Sequence, residues 1–235
     1  MKKLLFALLF AATFASAFAQ DAVEVTVATV ADSVAVDSVV DPMARFEGMS
    51  MAKAFNEGVR HQRKRDYVQA LPCFQYAAEQ GYAEAQYLTG AIYYNGSAGK
   101  KDDEMAVKYW TMASDQNHGK AQFDLGQYYY RIEDYPNAMK YWELAVENGL
   151  PEPMNNIALC YQEGRGVDCD EEMALVWYQR AAEAGDKTAT YNIGTFYELG
   201  KGGLQPDIEK AIEWYTKAWS LGSDSAKFAL DRLQQ

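Results

Sequence analysis

The stretch YELGKGGLQPDIEKAIEWY, residues 197–215, places a glycine-rich turn with a lysine directly in front of a helical pattern. Such a turn can bind phosphate through its backbone amides, but a Walker-type loop needs G-x-x-x-x-G-K followed by serine or threonine. Here the spacing from Gly194 to Gly200 is one residue too long, and Gly202 follows Lys201 where the hydroxyl residue should stand. No strand pattern precedes the turn, so we expect no phosphate site there.

Few other residues have types and spacings suited to chemistry. His61 and His118 lie far apart and lack a Cys, Asp or Glu framework at ligand spacing, so we expect no metal or other cofactor. Cys73 and Cys160 fall in amphipathic helical segments and are expected to pack as small hydrophobic residues. Cys169 falls in a loop, which leaves a Cys160–Cys169 bridge possible. No nucleophile–base set, HExxH motif or paired carboxylates can be placed, so we predict that the protein is not an enzyme.

The N-terminal residues MKKLLFALLFAATFASAFAQ combine two lysines, a short apolar run and a small-residue cleavage site before Gln20. This pattern predicts a signal peptide over residues 1–19, with no stable membrane insertion after cleavage. We therefore predict an exported protein, periplasmic or secreted. Residues 20–45 are rich in Val, Asp, Ser and Ala, which predicts a flexible acidic linker, although alternating valines leave a lone strand as an alternative.

The charge balance bears on possible partners. The chain carries 33 acidic residues against 22 lysines and arginines, a formal net charge of −11. Binding to nucleic acid depends on neutralising phosphates with basic side chains, so we expect no nucleic-acid partner.

From Ala52 onward the sequence repeats itself, and four landmarks recur in five units. The first is a small residue in the first helix: Gly58, Gly90, Gly126, Ala158 and Gly194. The second is a pair of alanines seven residues apart: Ala70 and Ala77, Ala106 and Ala113, Ala138 and Ala145, Ala174 and Ala181, Ala211 and Ala218. The third is a helix stop: Gly81, Asn117, Gly149, Gly185 and Gly222. The fourth is an aspartate before the second helix: Asp66, Asp102, Asp134, Asp170 and Asp207.

These landmarks predict two antiparallel helices in each unit. Bulky residues between the two alanines are expected to form the core, since small residues let helices approach while rings fill the gap. The GKGG stretch then becomes the longer inter-helix turn of one repeat. We predict an all-α fold over residues 46–235: a right-handed α-solenoid of about five helix-turn-helix repeats plus a C-terminal capping helix.

The segment YQEGRGVDCDEEMALVWYQRAAEAGDKTATYNIGTFYELG, residues 161–200, resembles the Sel-one-like repeat branch of the tetratricopeptide superfamily. It is similar to that family's signature of A-x-x-x-L-G-x-x-Y followed by D-x-x-x-A-x-x-W-Y-x-x-A-A-x-x-G. Thr89, Pro153 and Trp219 depart from the pattern, and the cysteine pair that some exported members carry in every repeat is absent. The resemblance implies an interaction scaffold with a concave groove. Together with the predicted export, it leads us to expect a non-catalytic scaffold of the bacterial cell envelope that binds a protein or peptide segment in that groove. The alternatives are an envelope hydrolase and a self-assembling structural solenoid.

The groove should be lined by first-helix positions three before, one after and four after the small residue. The candidate ligand-binding residues on this face are Tyr87, Tyr94, Phe123, Gln127, Tyr130, Asn155, Gln162, Tyr191 and Glu198. We expect Tyr94 and Tyr130 to point away from the packed core and to serve as the main contacts. Polar contacts would come from Gln127, Gln162 and Glu198.

Overall fold

The computed structural model describes residues 44–233. The predicted signal peptide and nearly all of the predicted linker lie outside these residues. Ala44–Phe46 form a 3-10 turn, in which Phe46 is buried and stacks on Tyr76 with ring centroids 5.0 Å apart. Arg45, at the last position of the predicted linker, donates to the side chain of Gln69 at 3.1 Å. This turn therefore packs onto the helices.

Eleven α-helices make up the regular structure of the described part, together with the 3-10 turn. In chain order they are α1 Met51–Arg63, α2 Tyr67–Glu79, α3 Ala83–Asn95, α4 Asp103–Ser114, α5 Gly119–Arg131, α6 Tyr135–Glu147, α7 Met154–Glu163, α8 Glu171–Glu183, α9 Lys187–Leu199, α10 Ile208–Ser220 and α11 Asp224–Leu233. The pairs α1/α2 to α9/α10 are repeats one to five; within each pair the first is the A helix and the second the B helix. The predicted all-α solenoid of five helix pairs and a final single helix is confirmed.

The start and end of every B helix follow the predicted chemistry. The five predicted aspartates are the N-caps, and each accepts a hydrogen bond from the amide three residues on, at 2.9 to 3.4 Å. These bonds satisfy amides that have no partner within the helix. The five predicted stop residues have φ between 60° and 91°, the left-handed conformation that lets the chain turn into the next A helix.

Within each repeat, the small residue of the A helix lies against a ring of the B helix. The pairs are Gly58 with Phe74, Gly90 with Trp110, Gly126 with Trp142, and Gly194 with Tyr215. A Cβ atom added at any of these glycines would come within 2.3 to 2.7 Å of the ring. In repeat four, Ala158 and Tyr178 are buried in the same cluster. The ring therefore sets how closely the two helices approach.

Two buried glutamines link the first three repeats through hydrogen bonds. Gln86 donates to the carbonyl of Ala78 at 3.0 Å and accepts from Gln116 at 2.7 Å. One repeat later, Gln122 donates to the carbonyl of Ser114 at 3.3 Å and accepts from Asn148 at 3.0 Å. Each glutamine thus connects the end of the preceding B helix to the end of its own repeat's B helix. We call these contacts the glutamine ladder.

The three departures from the family pattern have local effects. Thr89 is fully buried and its hydroxyl donates to the carbonyl of Ala85 at 2.7 Å. Pro153 is the N-cap of α7, which has 10 residues where the other A helices have 13. Trp219 is 52% exposed. None of the three interrupts the order of helices.

Candidate functional site

A cleft lies between repeats two and three, on the face where the groove was predicted. Its volume is about 230 Å³, and it is lined by Tyr87, Ala91, Tyr94 and Asn95 of α3, Trp110 of α4, and Asp124 and Gln127 of α5. Three of the candidate residues, Tyr87, Tyr94 and Gln127, therefore share one concavity. The other six candidates lie outside this cleft.

Tyr94 and Tyr130 each rest on a buried tryptophan. The ring of Tyr94 lies 5.1 Å from that of Trp110, and the ring of Tyr130 lies 5.3 Å from that of Trp142. Both tyrosines are half-buried rather than fully exposed. The expectation that they point away from the core is wrong in this respect, because the position four residues after the glycine lies over the B-helix ring.

The same position in repeats four and five holds a hydrogen-bond acceptor. Gln162 accepts from the hydroxyl of Tyr178 at 2.9 Å, and Glu198 accepts from that of Tyr215 at 2.7 Å. In repeats two and three, where the B-helix ring is a tryptophan, the residue over it is a tyrosine. In repeats four and five, where the ring is a tyrosine, the residue over it accepts a hydrogen bond from the tyrosine hydroxyl. Glu198 also pairs with Arg232 of α11 at 2.7 Å, so its carboxylate is committed to contacts within the protein.

The remaining candidates make contacts within their own repeat or with a neighbouring one. Phe123 packs against the buried cluster that contains Trp142. Asn155 accepts from the side-chain amide of Asn192 at 3.4 Å, which joins repeat four to repeat five. The ring of Tyr191 lies 5.3 Å from that of Tyr215.

Arginines from the following repeat cover the two groove tyrosines, a feature that the sequence reasoning missed. The guanidinium of Arg131 lies 5.5 Å from the Tyr94 ring centre, and that of Arg165 lies at the same distance from the Tyr130 ring centre. Arg165 also donates to the Tyr130 hydroxyl. Cation–π contacts of this kind stabilise a partly exposed ring. Arg131 follows the small residue of its repeat by five residues and Arg165 by seven, so the equivalence of the two arginines is not visible in the sequence.

The GKGG turn binds a carboxylate of its own chain. Lys201 donates to Glu171 at 3.0 Å, and the amide of Gly202 donates to the same carboxylate at 3.4 Å. The bond from Lys201 is the main reason that the pKa of Glu171 is lowered. The turn therefore fastens repeat five to the start of α8 in repeat four, and its lysine is already paired.

Asp124 is the second groove residue that the sequence reasoning missed. It lies two residues before Gly126, in a column that holds Asn56, Leu88, Asn156 and Asn192 in the other repeats. Asn156 donates across to Gln127 at 3.3 Å, and Asn192 to Asn155, so this column faces the preceding repeat. Asp124 is the only acid in the column, and this difference is the signal by which the sequence could have identified it. Burial raises its pKa to about 6, although the hydrogen bond from the nearby Tyr87 hydroxyl acts in the opposite direction.

Three further observations concern chemistry in the described residues. All three cysteines are free, and the Cys169 thiol donates to the carbonyl of Gln162 at 3.3 Å, so no Cys160–Cys169 bridge forms in this structure. Residues 44–233 contain no group of three or more His, Cys, Asp or Glu side chains that could hold a metal ion. Within the same range, every helix is too short or too polar to cross a bilayer.

A protein-family model described as Sel1 repeat matches residues 50–82, 83–118, 119–150, 154–186 and 188–223. The chain belongs to the Sel1-repeat family. The resemblance stated from the sequence is thereby confirmed, and the matched segments follow the helix pairs of the structure. Sel1-repeat proteins typically act as scaffolds for interactions between proteins.

Curated relatives of this Sel1-repeat protein match it over only part of their own length. DAP3-binding cell death enhancer 1 of Rattus norvegicus is 27% identical over 208 residues, which cover 86% of this chain and 40% of the relative. Chitin synthase regulator SKT5 of Saccharomyces cerevisiae is 29% identical over 146 residues, covering 59% of this chain and 21% of the relative. The chain thus spans less than half of these proteins.

Solved structures support the same family. A Sel1 repeat protein from Oxalobacter formigenes superposes with a TM-score of 0.69 at 27% identity, covering 82% of this chain and 81% of that one. A protective antigen of uropathogenic Escherichia coli with an SLR fold gives a TM-score of 0.73 at 24% identity, covering 79% and 41%. The second likeness concerns the fold alone.

Proposed function

We propose that this Sel1-repeat protein is a non-catalytic scaffold of the bacterial cell envelope that binds a protein or peptide segment along the inner face of its A helices. The observation that carries the proposal is the cleft between repeats two and three. It places the half-buried rings of Tyr87 and Tyr94 beside the exposed amide of Gln127. Amphipathic rings beside polar groups are typical of protein interfaces.

The acidic side chains support a scaffold better than the alternative of a hydrolase. General acid–base chemistry needs carboxylates that are free to exchange protons with a substrate. Here five aspartates cap the B helices, and Glu171 and Glu198 are paired within the chain. Asp124 is the one carboxylate that lines the cleft, and the cleft lining offers it no second carboxylate and no Ser, Cys or His to act with. The relatives' names point the same way, since they describe a binding protein and a regulator.

A steric block in the groove tests the proposal. Gln127→Arg adds a long charged side chain at an exposed position of the cleft, where it should exclude a bound segment without entering the core. We expect the immobilised variant to capture its partners from envelope extract at least tenfold less than the wild type, as measured by quantitative mass spectrometry. Loss of a single interface hot spot has effects of this size.

Gln205→Arg is the matched control for this experiment. It makes the same chemical change at an exposed glutamine in the turn before α10, away from the cleft. It should capture the same proteins as the wild type. Equal capture by all three proteins would contradict the groove proposal, and a size measurement showing concentration-dependent association would favour the self-assembling solenoid.

We also propose that the chain is exported after cleavage near Ala19, on the basis of the charged, apolar and small-residue segments of its N-terminus. The expected result is an envelope-fraction protein whose N-terminal sequence begins close to Gln20. A protein that begins at Met1 in that fraction, or that stays in the cytoplasm, would contradict the proposal.

A further inference from the structure

The cleft between repeats two and three contains a carboxylate whose charge has no strong partner. Asp124 lines the cleft together with Tyr87, Tyr94 and Trp110. Among residues 44–233, no lysine or arginine forms a salt bridge with Asp124. The Tyr87 hydroxyl donates to Asp124, but a carboxylate without an ionic partner in a partly desolvated site is costly, so its presence in place of asparagine needs a reason.

Two cations close to the cleft share one carboxylate. Lys101 and Arg131 both lie over the Tyr94 ring, at 4.6 and 5.5 Å from its centre. Each pairs with Asp103, at 3.0 and 3.1 Å. Asp103 compensates only one of the two positive charges, but neither cation forms a salt bridge with Asp124, so that carboxylate stays available to a cation from outside the chain.

His118 does not supply the missing positive charge in this geometry. Its Nδ1 accepts the amide of Ala121 at 3.2 Å as the N-cap of α5, so that nitrogen carries no proton. Its Nε2 then donates to Glu84 at 2.9 Å, and the ring is neutral. The imidazole also stacks on Tyr87, with ring centroids 4.9 Å apart. Histidine and glutamate together therefore leave this end of the cleft negative.

The cleft has the size and walls of a side-chain pocket. At about 230 Å³ it lies below the range of about 300 to 1,000 Å³ that is usual for small-molecule sites. Aromatic rings can cover the apolar stem of a long basic side chain and attract its charged end. The Asp124 carboxylate at the wall of the cleft can then form an ion pair with that charged end.

We propose that this cleft receives one lysine or arginine side chain of the bound protein segment, with its charged end paired to Asp124 and its stem against Tyr87 and Tyr94. The proposal rests on the proposed scaffold function and names the chemistry of its partner. Charge complementarity selects this occupant, since an acidic or apolar side chain would leave the carboxylate unpaired.

The binding test uses the full chain and short blocked peptides, acetyl-Gly-Gly-X-Gly-Gly-amide, with X as lysine, arginine or the uncharged norleucine. Binding is followed by NMR shift changes of the Trp110 indole at millimolar peptide. We expect saturable binding of the lysine or arginine peptide, and at least tenfold weaker binding to Asp124→Asn. Asp115→Asn removes the same charge at an exposed site at the end of α4 and should bind like the wild type.

Several outcomes would overturn the inference. They are the absence of detectable binding of both basic peptides to the wild type, equal binding of the norleucine peptide, and equal loss of affinity in Asp124→Asn and Asp115→Asn. The last result would mean that only the overall negative charge of the protein attracts the peptides. If Gln127→Arg abolishes partner capture while Asp124→Asn preserves both capture and peptide binding, the scaffold function stands and this inference fails.

A stability measurement separates binding from a structural role. The groups facing Asp124 are Tyr87 of α3 and His118 at the start of α5, and neither is positively charged in this geometry. Because folding raises the pKa of Asp124 from 3.8 to about 6, the folded protein holds this proton more tightly. The contribution of Asp124 to the free energy of unfolding is therefore fully present below about pH 4 and is lost as the pH rises through about 6. Asp124→Asn should therefore melt several degrees higher than the wild type at pH 7, with little difference at pH 4. A variant that melts lower at pH 7 would show that the carboxylate is structural.

Discussion

Trp142→Ala is expected to lower the free energy of unfolding by about 3 to 5 kcal/mol, as measured by urea denaturation. Trp142 is 1% exposed and lies under Gly126 of its own repeat. It packs in one cluster with Ile157 and Cys160 of the following A helix. Its removal would leave a cavity that touches two repeats, and helices held apart by these neighbours cannot close it fully.

Trp219→Ala is the control for this experiment. It makes the same truncation in a B helix, but its side chain is 52% exposed. Its loss should change stability by no more than about 0.5 kcal/mol. Similar losses at the two sites would mean that the repeat core does not depend on the ring beneath the A helix.

Gly126→Ala is expected to cost about 2 kcal/mol, although alanine is favoured over glycine within a helix by about 1 kcal/mol. The new Cβ would lie 2.3 Å from the nearest atom of the Trp142 ring, which is too close for any real contact. The ring is buried, so the helices must separate or the ring must leave its position. Thermal denaturation should show this loss.

Two further variants test this explanation. Gly119→Ala places a Cβ in the same helix with no atom nearer than 3.8 Å, so it should be neutral or slightly stabilising. The double variant Gly126→Ala with Trp142→Tyr copies the pair formed by Ala158 and Tyr178 in repeat four. It should recover part of the stability lost in Gly126→Ala. Equal destabilisation by both alanines would point to the helix backbone and not to the ring.

The sequence alone was sufficient for the fold because each decisive feature is local and repeats. An aspartate before a helix, a glycine or asparagine after one, and a small residue opposite a ring act within a few residues or one helix pair. All five aspartate caps and all five left-handed stops lie where the spacing predicts them. Because each weak local signal recurs five times at regular spacing, the five copies together identify the architecture.

The groove was less predictable because its contacts cross between repeats. Whether Tyr94 and Glu198 are free depends on the ring below and on the next repeat's cations, such as Arg131 and Arg232. Those cations stand at unequal spacings, since the turns differ in length. Asp124 could have been noticed as the one acid in its column, but its lack of a basic partner is visible only in three dimensions.

The glutamine ladder makes the repeats unequal as building blocks. At the position of Gln86 and Gln122, repeat four has Met154 and repeat five has Thr190, whose hydroxyl bonds to the carbonyl of Asp186 just before its own helix. A copy of repeat three inserted after repeat four would bring Gln122 together with its own donor Asn148, and it would need from its neighbour only a backbone carbonyl. The glutamine contacts can therefore move with their own repeat, whereas a side-chain pair such as Asn155 with Asn192 joins two particular repeats. Insertion of a further unit between repeats four and five would separate that pair, while the insertion of a unit that carries its own glutamine and donor could keep the ladder contact.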